Sequence, residues 1–185
     1  VIRIKVMMKS LLRIRLATLM MIVALSAVFC AWYVNQVSGQ PAQKIMHVGG
    51  SLAMSPTITR EYLVVDVNAF RYSKPQRWHA VVLNPRERPD GSTVAEVLRV
   101  VGLPGETVTF SDGNVIINGH ATEPPQRLQN IKFHCNLPDL ESAEHPYTIP
   151  DGHYYLLGDN PDAAKDSRLL GAYPKADIRG RVPSR

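Results

Sequence analysis

Apolar positions fall into one long block near the N-terminus and a series of short runs after it. From Leu16 to Val34 no charged residue occurs over 19 positions. At a helical rise of about 1.5 Å per residue this stretch spans roughly 28 Å, close to the hydrocarbon thickness of a bilayer. The pattern predicts one transmembrane helix over 16–34. A cleaved signal peptide has a shorter apolar core, about 7 to 15 residues, and ends in a small-x-small site. Here Val28-Phe-Cys-Ala-Trp32 puts Phe29 where a small residue is wanted, so the block reads as an uncleaved anchor with Trp32 and Tyr33 at its interfacial end.

Beyond a linker over 35–43, short runs rich in Val, Ile and Tyr alternate with Gly, Pro, Asn and Asp, which is the rhythm of an all-β domain of antiparallel sheets over 44–185. Strands are predicted over 44–48, 61–67, 78–83, 94–101, 107–110, 114–118, 153–157 and 178–182. Ser111-Asp-Gly-Asn between two of them is the clearest hairpin signal, with glycine available for a positive φ. Residues 124–150 are polar, proline-rich and weakly periodic, and read as an irregular insert made mostly of loop. No helix-period segment of useful length is expected outside the anchor.

Charge sharpens this organisation. Arg3, Lys5, Lys9, Arg13 and Arg15 are five of the 21 basic residues, and the first acidic residue is Glu61. Without those five, 16 basic residues face 16 acidic ones, so the net charge of +5 belongs to the tail. No basic stripe remains to follow a phosphate backbone, and nucleic acid is not an expected partner. The tail over 1–15 is expected in the cytoplasm and the β domain outside, or in the periplasm, of a single-pass protein of the cell (inner) membrane. Membrane lipid is the partner this implies. The six histidines show no i, i+2 or i+4 pairing, and no phosphate-binding glycine loop occurs, so neither a metal nor a cofactor is expected.

Three stretches carry the chemistry. They are Val48-Gly-Gly-Ser-Leu-Ala-Met-Ser-Pro-Thr57, Leu98-Arg-Val-Val-Gly-Leu-Pro-Gly-Glu106 and Gly158-Asp-Asn-Pro-Asp-Ala-Ala-Lys-Asp-Ser-Arg168. Singly, each is a turn after a strand. In this order behind an N-terminal anchor, they resemble the bacterial signal peptidase I family, membrane-anchored serine endopeptidases that cut signal peptides from exported proteins with a Ser/Lys pair. The family pattern Ser-Met-x-Pro-Thr is met by Met54, Pro56 and Thr57, but Ala53 takes the nucleophile's place. The pattern Lys-Arg-Val-Val-Gly-Leu-Pro-Gly is met from Arg99 to Gly105, but Leu98 takes the place of the base. The resemblance also implies an oxyanion donor at Ser51, a further hydroxyl at a position held here by Ala164, and a supporting ion pair between Asp166 and Arg168 flanking Ser167.

A hydroxyl nucleophile needs a base, and a lysine serves as one only when burial destabilises its ammonium. Ala53 and Leu98 keep the volume and the apolar surroundings and delete both reacting groups. The expectation is therefore a signal-peptidase-like membrane protein that is catalytically inactive and retains a groove for signal peptides or exported preproteins, entered by strand addition. The first alternative is an active peptidase with Ser51 as displaced nucleophile, on the same strand face as Ala53 and about 6.6 Å from it. Lys165 is its nearest candidate base and His79 a remote one. The second alternative is an anchored structural scaffold.

Overall fold

The structure is a computed structural model, and it describes residues 18–34, 42–48, 51–87, 91, 93–134 and 146–183. The chain divides into two compact units, Val1–Gln40 and Pro41–Arg185. In the first, residues 18–34 are helical and exposed, and Phe29 contacts Trp32 and Tyr33 one turn on, with ring centroids 5.8 and 6.4 Å apart. The predicted span began at 16; residues 16 and 17, like the basic tail, lie outside the described residues. Among the described residues, no helix is long and apolar enough to cross a membrane.

The regular structure described in the second unit is mainly antiparallel strands, as the rhythm of short apolar runs predicts. Seven strands form one sheet, in the order β1 (Gln43–His47), β2 (Tyr62–Asp66), β13 (Ile178–Arg181), β3 (Ala80–Leu83), β6 (Val97–Gly102), β11 (His153–Leu157) and β12 (Tyr173–Pro174). A second sheet runs β10 (Tyr147–Thr148), β7 (Thr107–Ser111), β8 (Asn114–Ile117) and β9 (His120–Ala121), and β4 (Arg86–Glu87) pairs with β5 (Thr93–Val94). The hairpin between β7 and β8 turns through Asp112 and Gly113 at φ 50° and 75°, the primed geometry that suits the strand twist.

Every residue of β3 and β6 is buried. Both faces of these central strands are covered, which is why their sequences are continuous apolar runs rather than alternating ones. Ala80, Val82 and Val97 face one cluster with Val48, Met54, Leu63, Val65 and Ala95. Val81, Leu83, Leu98 and Val100 face another with Tyr154, Leu156, Tyr173 and Ile178. Each Val, Leu, Ile or Met among them contributes about 1.5–3 kcal/mol by leaving water.

One expectation needs correction. The stretch after Val48 does not continue as a strand, because Ser51–Met54 is a 3-10 turn. Its backbone bonds are local, Ser55 N–H to the Leu52 carbonyl at 3.2 Å and Ile58 N–H to the Met54 carbonyl at 2.8 Å. A single helical turn also occurs in the β unit, at Ser167–Leu170, capped by the Asp166 carboxylate on the Arg168 N–H. The insert is less detached than its composition suggests. Its described parts hold a 3-10 turn at Gln126–Leu128 and strand β10, and Leu128, Phe133 and Ile149 are buried.

Candidate functional site

The 3-10 turn carries Ala53 to a wall of a cavity of about 220 Å³. Met54 is its anchor, buried in the cluster that includes Val65 and Val82, and it also lines the cavity. Ser51 belongs to the same 3-10 turn as Ala53, not to a strand. The neighbouring Ser55–Pro56 peptide is cis, and Pro56 is exposed and does not line the cavity.

The opposite wall comes from β6 and the residue before it. Glu96, Val97 and Leu98 line the cavity with Val48 and Ile58. Leu98 is only 2% exposed and pairs across the sheet with Val81. The positions of nucleophile and base in the family pattern are thus brought together here, one as a methyl group and the other as an isobutyl group.

Next to Leu98 on the strand stands a buried charge that sequence reasoning passed over as a motif match. The Arg99 guanidinium reaches the Asp159 carboxylate with two bonds, Nε to Oδ1 at 2.7 Å and Nη2 to Oδ2 at 2.5 Å, and both residues are 2% exposed. The Trp78 carbonyl accepts from Arg99 Nη1 at 2.9 Å. Trp78 holds φ 68°, a left-handed conformation rare for a bulky residue, and the turn directs its carbonyl at this cation. Thr57 Oγ1 hydrogen-bonds the Asp159 carboxylate and lies 3.1 Å from the Met54 carbonyl. The network therefore clamps the Ala53 turn to β6. Its legible signal was one arginine inside six consecutive core positions, since a buried cation requires a paired anion.

A third segment, 158–168, closes the site. Asn160 N–H donates to the Ala53 carbonyl at 2.9 Å. A side chain on Gly158 would collide with the Ala164 methyl and would stand 2.6 Å from the Ala53 carbonyl oxygen, so only glycine lets these segments meet. Asp166 is fully buried and accepts from Gly158 N–H at 2.9 Å, from Arg168 N–H at 3.1 Å, and from the Arg168 guanidinium at 2.9 and 2.6 Å. Arg168 also donates to the His134 carbonyl at 2.6 Å, tying the insert to this loop. Ser167 Oγ accepts from Leu156 N–H at 2.8 Å. Asp166, Ser167 and Arg168 do not line the cavity, and neither does Ala164, which is packed on Gly158.

Lys165 does line it, facing the same space as Ala53 and Leu98. Arg60 and Glu96 join it, and neither was singled out from sequence because an isolated charge between strands reads as solvated surface. His79 does not line the cavity; its Nδ1 accepts from Gln76 N–H at 3.2 Å. Burial, and secondarily the Arg181 guanidinium, holds its imidazole below the ordinary range.

A family model for signal peptidase, peptidase S26, matches residues 8–185. A probable signal peptidase I-2 from Synechocystis is 31% identical over 135 residues, covering 71% of this chain and 58% of that protein. A signal peptidase I from Leptolyngbya laminosa is 31% identical over 137 residues, covering 71% and 63% respectively. The chain thus spans less than two thirds of the length of these two relatives. A crystal structure of a signal peptidase I from Enterococcus faecalis aligns with 60% of this chain and 98% of its own at 28% identity and a TM-score of 0.44. With nearly its whole length matched by the family model, the chain belongs to the signal peptidase family, peptidase S26.

Proposed function

We propose that this chain is a membrane-anchored signal-peptidase-like protein without peptidase activity, which keeps a cleft for segments of signal peptides or exported preproteins. One observation carries the proposal: the cavity where the family pattern puts nucleophile and base is walled there by Ala53 and Leu98. Acyl transfer needs a nucleophile whose proton is taken as it attacks, and neither side chain supplies one. Met54 and the pair of Asp166 with Arg168 support the walls, a structural task that does not depend on the chemistry. The uncharged stretch over 16–34 behind five cations supports a single-pass anchor in the cell (inner) membrane. In this reading 1–15 is a cytoplasmic tail, 35–43 a linker and 44–185 an outward or periplasmic β domain.

A second reading has one observation in its favour, namely that Lys165 lines the same cavity. Lys165 is exposed, however, and it is burial that makes lysine a base. Ser51 shares a 3-10 turn with Ala53, so the strand spacing from which this alternative starts does not apply to it.

The test is cleavage of a preprotein by the detergent-solubilised chain and by the double variant A53S/L98K. A silent natural chain with an active double variant supports a pseudoenzyme with an intact cleft. Cleavage by the natural chain, abolished by Lys165→Ala, would refute the proposal and establish the second reading.

A further inference from the structure

The cavity beside Ala53 is apolar at its floor and charged at its rim. Its charged lining residues are Arg60, Lys165 and Glu96, and among the described residues none of the three makes an ion pair. The two cations are carried by the segments clamped around Ala53. Lys165 follows Ala164, which packs on Gly158 in the loop whose Asn160 N–H bonds the Ala53 carbonyl. Arg60 follows Ile58, whose N–H bonds the Met54 carbonyl. Glu96 stands on the other wall, beside Val97 and Leu98.

A second cavity of about 610 Å³ shares Ile58 and Arg60 in its lining. Its charged lining residues are Arg60, Arg99 and Arg127, with no carboxylate. Arg99 is satisfied by Asp159, so the unpaired charges lining the two neighbouring cavities are Arg60, Arg127 and Lys165 against Glu96 alone. An uncharged internal peptide segment lying across this rim would desolvate cations without pairing them. A carboxylate would receive charge-assisted hydrogen bonds, roughly twice as strong as neutral ones.

Resting on the proposed peptide-binding cleft, we infer that its ligand is a peptide C-terminus: Lys165 and Arg60 hold the terminal α-carboxylate over Ala53, and the preceding residues lie along the apolar walls. The chain then binds the free end of an already cut peptide, such as a released signal peptide, rather than an uncut substrate. The reaction that supplies the ligand is an endopeptidase cleavage, which this chain does not perform.

The probe is a signal-peptide segment ending Ala-Gln-Ala, prepared as the free acid and as the C-terminal amide, with binding to the detergent-solubilised full chain followed by fluorescence anisotropy at low salt. The acid should bind at least about tenfold more tightly than the amide, a difference of about 1.4 kcal/mol. In R60Q/K165Q the two peptides should bind alike, and in K165R the preference should persist. Both substituted residues are exposed and unpaired, and an unchanged circular dichroism spectrum checks the fold. Equal binding of acid and amide by the natural chain, or a preference that survives R60Q/K165Q, overturns this inference and leaves the cleft standing. Failure of both peptides to bind overturns the cleft reading and the inference together.

Discussion

Placing a lysine at position 98 tests the environment there before any activity is measured. Leu98 is 2% exposed and packed in the cluster of Val81, Val100, Tyr154 and Leu156. In Leu98→Lys the aliphatic stem keeps most of that packing, and the ammonium is left where ions are poorly solvated. Buried lysines give up their proton up to about 3 to 5 pH units early. Because position 98 also borders the open cavity, the lower figure applies, and at about 1.4 kcal/mol per unit the charged state costs about 4 kcal/mol. The sign follows from proton counts. The folded pKa is depressed, so below it both states are protonated and the full penalty is present. Between the folded and unfolded values the unfolded chain holds more protons, and stability rises with pH. Urea unfolding of L98K beside the natural chain should therefore show a gap near 4 kcal/mol at pH 6 that shrinks steadily towards pH 9. L98M, isosteric and uncharged, should track the natural chain at every pH. A gap of fixed size across that range would mean a solvated ammonium, and would refute both the burial argument and the claim that this site keeps the surroundings a lysine base requires.

Other perturbations probe the scaffold and its pH response. Asp159→Ala leaves the Arg99 guanidinium buried and unpaired, and should cost about 3–5 kcal/mol in urea unfolding; D159A/R99L should cost less than D159A alone, and equal costs would argue that the pair is solvated. Gly158→Ala should destabilise by about 1–3 kcal/mol or more through overpacking. Adding Ala164→Gly should recover only part of this in thermal unfolding, because the Ala53 carbonyl oxygen remains 2.6 Å from the new Cβ. His79 has a folded pKa below its unfolded value of 6.5, so its contribution is complete above pH 6.5 and is lost as pH falls through the folded value. His79→Gln should therefore flatten the acid limb of the stability profile, and an unaltered limb would assign that limb to other groups.

What was legible in the sequence was whatever local geometry fixes. The β7–β8 hairpin was predicted because Asp112-Gly113 accepts the positive φ values that a tight turn needs, and β11 was predicted to the residue because a run of buried Tyr and Leu ends at the glycine of the third motif. Two-residue strands such as β9 and β12 escaped, since they exist only through pairing with a neighbour already in place. The same distinction decided the site. Ser51 and Ala53 looked like a strand pair because Val48 is apolar and the motif follows without a break. Val48 N–H pairs with the Glu61 carbonyl at 2.7 Å, whereas the bonds made by Ser55 and Ile58 are those of a turn. Likewise the charges that give the cavity its sign, Arg60, Glu96 and Lys165, lie in three separate connections, and no spacing along the chain brings them together. A motif comparison aligns positions and reports which reacting groups have gone. It cannot report what else faces the space beside those positions, and at this site it is the two cations there, Arg60 and Lys165, on which the proposed recognition of a peptide end rests.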